Sequence, residues 1–92
     1  MHEGHRERVK NRFLKEGLDG FEDHQILELL LFFSIPRKDT NELAHTLIKK
    51  YGSLSAVFEA DPADLMSTPG IGRNSAILLN LIPSLARIYF KD

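Results

Sequence analysis

The chain contains no cysteine and no tryptophan. Without a thiol there is no disulfide framework, no thiolate metal site and no cysteine nucleophile. Long apolar runs are missing as well. The longest, Leu29 to Phe33, has five residues, far short of the ~18 that would suggest a membrane span. No basic stretch followed by an apolar one opens the chain, so nothing signals secretion. A cytoplasmic address with no membrane partner is the resulting expectation. An excess of charge is lacking too: 12 Lys and Arg against 13 Asp and Glu leave a net charge of −1. There is no global field to attract a polyanion, so any nucleic-acid binding must be local and carried by placed groups. Alternating apolar and polar runs are also absent, which removes strands and leaves an all-α domain.

What is present suits a small helical bundle. The 92 residues are 42% hydrophobic and 27% charged, enough for one domain over residues 1–92 with an adequate core. Residues 2–16 read as a mixed-charge helix, docked by Val9, Phe13 and Leu14 and ended by Gly17. Residues 1–16 hold five Lys or Arg against three Glu. The helix is therefore either solvated with internal ion pairs or a basic arm for a phosphate backbone. His2 and His5 lack a third ligand at a sensible spacing, so no metal and no cofactor is expected.

Asp19-Gly20-Phe21-Glu22 has the form of a capping box and opens a central helix over 21–33, dense in Leu and Phe. Pro36 makes Ser34–Lys38 a loop. Asp39 caps the next helix, through Lys50, with Glu42 as its box partner. Ser53 caps a short one carrying Leu54, Val57 and Phe58. Asp61, Pro62 and Asp64 suit the first turn of another. A last helix runs from Asn74 to about Phe90 with Pro83 inside it, predicting a kink near Asn80 or two helices in tandem. Five to six helices result. Phe13, Leu30, Phe33, Leu47, Phe58 and Leu79 are the expected core.

The chain is organised around Thr68-Pro69-Gly70-Ile71-Gly72-Arg73, a tight turn between the last two helices. Two glycines so close suggest positive φ and a close approach by something else. The helix that follows opens with unpaired N–H groups, a ready anion site. This is the pattern of a helix–hairpin–helix. Gly70, Ile71 and Gly72 would offer N–H groups to a DNA phosphate, with Arg73 adding charge and Asn74 opening the helix. Shifting the sequence by 36 residues sets Ile35 over Ile71 and Arg37 over Arg73. A second, degenerate hairpin would then form a pseudo-twofold pair, with Arg37 and Lys38 at another phosphate. The competing readings are a structural αα-hairpin and a protein-interaction or dimerisation domain, favoured by the near-zero charge. Asp39, Glu42 and His45 form an imaginable acid–base set, but a cap, its partner and a solvent-facing histidine explain them better. No catalytic residue is assigned.

Several blocks resemble the N-terminal domain of the bacterial RadC family, once described as DNA repair proteins. They include Gly4-His5-Arg6-Glu7-Arg8, Leu27-Glu28-Leu29-Leu30-Leu31-Phe32, Ile35-Pro36-Arg37-Lys38-Asp39-Thr40, Tyr51-Gly52-Ser53-Leu54 and Pro69-Gly70-Ile71-Gly72. The resemblance covers nearly the whole chain. It implies a non-catalytic, DNA-binding helix–hairpin–helix domain placed ahead of a JAMM-type metal-dependent hydrolase domain. The metal motif of that second domain has no counterpart here, so the chain looks like the N-terminal part of a longer protein. Two departures from the family pattern are Asn74-Ser75, where more charge is common, and Pro83.

Overall fold

The computed structural model describes residues 4–92; His2 and the first residues of the expected N-terminal helix lie outside them. Six helices follow one another: α1 His5–Glu16, α2 Asp23–Phe32, α3 Thr40–Tyr51, α4 Leu54–Glu59, α5 Pro62–Met66 and α6 Arg73–Lys91. Among the described residues there is no strand, as the absence of alternating runs predicts. None of these helices is long and apolar enough to cross a membrane.

Local chemistry sets the boundaries. Asp39, Ser53 and Asp61 accept from the N–H groups of Asn41, Ala56 and Ala63 at 2.9, 3.0 and 2.8 Å. Each side chain satisfies a helix-start donor that would otherwise lack a partner. The expected box at Asp19 is corrected. Glu22 is the N-cap of α2, and its N–H donates to Gln25 Oε1 at 2.9 Å. The helix therefore starts after Phe21, which is buried beneath the Arg12 guanidinium, 4.3 Å from its ring centre. Asp39 caps α3 without a box from Glu42.

The core joins Leu27 and Leu31 of α2 to Ala44 and Leu47 of α3, Val57 of α4, Leu65 of α5, and Ala76 and Leu79 of α6. Ile35 and Ile71, one from each connecting loop, complete it. Each large side chain among these stabilises the fold by roughly 1.5–3 kcal/mol. Two of the six expected core residues, Leu47 and Leu79, are fully buried; Leu30 and Phe58 are half-buried. Phe13 is exposed, and Phe33 more so, at 73%. The reason lies in the phase of α2. Leu27 and Leu31, four apart, point inward, while Ile26, Leu29, Leu30 and Phe33 form a second stripe beside them. A helix apolar on both stripes does not reveal which one the core takes.

Pro83 does not divide the last helix, which runs unbroken from Arg73 to Lys91. Proline removes one rung, the bond to the Leu79 carbonyl. One turn earlier, Asn80 Nδ2 donates to the carbonyls of Phe58 and Ala60, both at 3.0 Å, and ties α6 to the end of α4.

Candidate functional site

The turn between α5 and α6 is held from below. Lys50 Nζ donates to Ser67 Oγ at 3.2 Å and to the buried Thr68 Oγ1 at 3.1 Å. The Tyr51 hydroxyl donates to the Asp64 carboxylate. Burial and then that carboxylate push the Tyr51 phenol up to about 12. Gly70 has a φ of 97°, and a Cβ there would also lie 3.4 Å from Leu43. Only glycine suits that position. Gly72 differs from expectation. Its φ is −98°, and a Cβ would meet nothing within 4 Å. Its lack of a side chain leaves open space and is not required by a left-handed backbone.

The expected set of phosphate-facing N–H groups also changes. Ile71 is sunk in the core, and its N–H donates to the Thr68 carbonyl at 3.0 Å. The N–H groups of Gly70 and Gly72 have no backbone partner among the described residues, and further open donors lie one step on. α6 has no side-chain cap, and its first helical bond is from Ala76 N–H to the Gly72 carbonyl at 3.0 Å. The N–H groups of Arg73, Asn74 and Ser75 precede that bond and have no backbone partner among the described residues. They carry the positive end of a helix of 19 residues.

A second element reaches the same place. Ser34 Oγ and the buried Ser75 Oγ share a hydrogen bond at 2.8 Å, fastening the 34–38 loop to the start of α6. The cleft formed there is about 340 Å³, and Ser34, Pro36, Lys38, Gly72, Arg73 and Asn74 line it. Lys38 thus lies beside the turn, whereas the sequence shift sets it with Arg37 at a separate phosphate. Arg37 does not lie there. It lines a neighbouring pocket of about 420 Å³ with His5, Arg6, Glu28 and Thr40.

Side chains that the sequence reading passed over position the loop. Arg6 donates to the carbonyls of Phe32 at 3.1 Å and Lys38 at 2.7 Å, and stacks 4.7 Å from the Phe32 ring centre. Arg12 donates to the Gly20 carbonyl. Two of the basic residues of α1 are therefore structural ties. Nothing in their spacing announces this. Glu28 does carry a signal, a carboxylate inside the most apolar stretch. It is 2% exposed and accepts from His5 Nε2 at 2.9 Å and Asn41 Nδ2 at 3.4 Å. Thr40 Oγ1, on the same pocket, is buried with no partner among the described residues. His24 and His45 stack with ring centres 4.0 Å apart. No three His, Asp or Glu side chains among the described residues gather as metal ligands.

Residues 2–77 match the family described as UPF0758 N-terminal. A UPF0758 protein of Fusobacterium nucleatum subsp. nucleatum is 46% identical over 90 residues, covering 98% of this chain. The chain spans 39% of that relative's length. No solved structure matches.

Proposed function

The chain belongs to the UPF0758 N-terminal family, a RadC-like family, and from that premise we propose that it is a DNA-binding module without sequence preference. One observation carries the reading. The uncapped start of α6 opens into a cleft that also holds Lys38 and Arg73. A backbone phosphate seated there accepts from the N–H groups of Arg73 and Asn74 and is neutralised by the two cations. Gly72 leaves its approach clear. Contacts of this kind position a protein on nucleic acid without reading bases. Lys38 extends the site to Arg37 in the adjoining pocket. The domain acts by binding, and in the longer polypeptide it serves a JAMM-type domain that performs the chemistry.

Titration of fluorescent duplex and single-stranded oligonucleotides at several salt concentrations tests this. Each neutralised phosphate contributes about −0.9 to the slope of log affinity against log salt, so two or three give a slope of roughly −2 to −3. Arg73→Ala should weaken all sequences alike and flatten the slope by about one unit. Gly72→Val should weaken binding while helicity is retained, because its Cβ has open space. Undetectable binding at low salt, or wild-type binding by both variants, refutes the proposal.

A second reading, a protein-interaction domain, has its own support. Leu14, Phe33, Tyr89 and Phe90 are all exposed, Phe90 at 83%. Isolated exposed apolar residues are ordinary, but a concentration of them marks an interface.

A further inference from the structure

Thr40 is 2% exposed, and its hydroxyl meets no donor or acceptor among the described residues. As the first residue of α3 it has no preceding turn of helix to offer a carbonyl. An unpaired polar atom at that depth is costly and calls for a partner. Thr40 lines the pocket of about 420 Å³ next to Arg37, a volume within the roughly 300–1,000 Å³ of small-molecule sites. Glu28 lines it too and is equally buried. Its Oε2 accepts from His5 and its Oε1 from Asn41. Each carboxylate oxygen has two lone pairs, so each keeps one to spare. The other polar groups of the wall are already engaged. Arg6 donates to the Phe32 and Lys38 carbonyls, and Asp39 caps α3. What the pocket offers is a pair of buried acceptors beside an unused hydroxyl.

A bare anion does not suit this chemistry, because it would meet the Glu28 and Asp39 carboxylates. A ligand with two adjacent donors does. Among the bases of DNA only guanine presents that edge, with N1–H and the N2 amino group side by side and the O6 acceptor next to them. Adenine and cytosine set a single amino group beside an acceptor. We propose that the pocket takes the base of an unpaired guanine nucleotide, N1–H and N2–H donating to Glu28 and O6 accepting from Thr40. Arg6, held 4.7 Å from the Phe32 ring centre, gives the base a cationic surface to stack on.

The position of the pocket favours a nucleotide that belongs to a strand. Pro36 and Lys38 line both this pocket and the cleft at the start of α6. Both residues are exposed, as is Arg37 between them. A strand with a backbone phosphate in the cleft therefore passes Lys38 and delivers its terminal base to the pocket. Entry from a strand rests on the cleft's holding phosphate, as proposed above, whereas the base pocket itself does not. Within a duplex the Watson–Crick edge of guanine is already paired. Duplex DNA is thus still held without regard to sequence, and only an unpaired end is discriminated.

Fluorescent duplexes that are blunt or carry a short overhang ending in G, A, C or T test the proposal. Guanosine and adenosine monophosphates, followed by NMR chemical shifts, form a second arm. The G overhang should bind about tenfold more tightly than the blunt duplex, and the other overhangs close to it. Thr40→Val keeps the shape and removes a hydroxyl that has no partner to lose, so its melting temperature should not fall. It should bring the G overhang several-fold toward the level of the blunt duplex. Glu28→Gln loses an acceptor at constant size and should abolish the preference for G over A. A G overhang held no more tightly than an A overhang, or a preference intact in Thr40→Val, overturns the proposal. If no oligonucleotide binds at low salt, the phosphate reading of the cleft fails, and the mononucleotides decide the pocket by themselves. Shifts at the Glu28 and Thr40 amides with guanosine but not adenosine monophosphate uphold it as a site for a free nucleotide; no shift with either overturns it.

Discussion

The two ends of α6 make an instructive contrast. Its N-terminal end is tightly engaged with the domain: Ser75, Ala76 and Leu79 are buried, and Ser75 is bonded to the 34–38 loop. Yet that end leaves its own N–H groups open beside Lys38 and Arg73. The C-terminal end has the opposite character. Among the described residues its backbone bonds run unbroken but for the rung lost at Pro83, while its apolar side chains find no cover. One end is short of hydrogen-bond acceptors and the other of apolar contact. Each deficit defines the chemistry that would meet it: an oxyanion for the first, an apolar surface for the second. A single rigid helix thus presents two kinds of unmet demand, with its buried middle as the anchor of both.

The sharpest way to break that contrast is to remove the anchor. Leu79 is fully buried among residues from five helices, so Leu79→Ala should cost about 2–5 kcal/mol. Phe33 is expected to behave differently despite its size. It is 73% exposed, and Phe33→Ser should change the unfolding free energy of the monomer by about 0.5 kcal/mol or less. Urea unfolding of both variants at low concentration provides the comparison. A Phe33 effect as large as that of Leu79 would mean that Phe33 is packed against its own chain and not exposed.

A smaller effect separates the turn from the helix it introduces. Gly70→Val places a side chain at a φ of 97° and against Leu43, which should cost roughly 1–3 kcal/mol. It should also lower affinity for DNA by displacing Gly72 and Arg73. Gly72→Val should lower affinity with little loss of stability. If the two variants lose stability equally, the assignment of conformational strain to Gly70 alone is wrong.

Legibility in the sequence followed the same division. The caps Asp39, Ser53 and Asp61 were readable because each acts within three residues of itself. The turn at Pro69–Gly72 was readable for the same reason, and Ile35 and Ile71, which the 36-residue shift sets at equivalent positions, both lie in the core. What failed was phase and long-range pairing. Leu27 and Leu31 took the core in place of Leu30 and Phe33 because α2 offers two apolar stripes, and only its neighbours decide between them. Likewise the bonds of Ser34 to Ser75 and of Arg6 to the Lys38 carbonyl join residues 41 and 32 positions apart. No local pattern encodes contacts at that distance. The candidate site was legible in its turn and in Lys38, while the Ser34–Ser75 bond that brings the loop to the turn was hidden. Gly72 was legible as a glycine, but the reason for it was not: it leaves space and has no positive φ.

The smallest expected effect concerns the support beneath the polar end. Tyr51 donates to Asp64 at the start of α5, just before the turn that carries Gly70 and Gly72. Its phenol is raised from 10.0 to about 12 in the folded chain. A raised value in the folded state means that the proton is held more tightly there than in the unfolded chain. The resulting stability is fully present below pH 10.0 and is lost as the pH climbs toward about 12. Once ionised, the phenolate faces the Asp64 carboxylate, and the contact that braces α5 becomes a repulsion. Across that interval the melting temperature should fall by a few degrees more in the wild type than in Tyr51→Phe, which has no proton to lose. The measurement also bears on the contrast between the ends. Alkaline loss should appear in affinity for DNA, because the turn loosens, while Tyr51→Phe should hold its affinity over the same range after correction for its starting value. Parallel pH profiles in the two proteins would show that the Tyr51–Asp64 bond supports neither the turn nor the open end of α6.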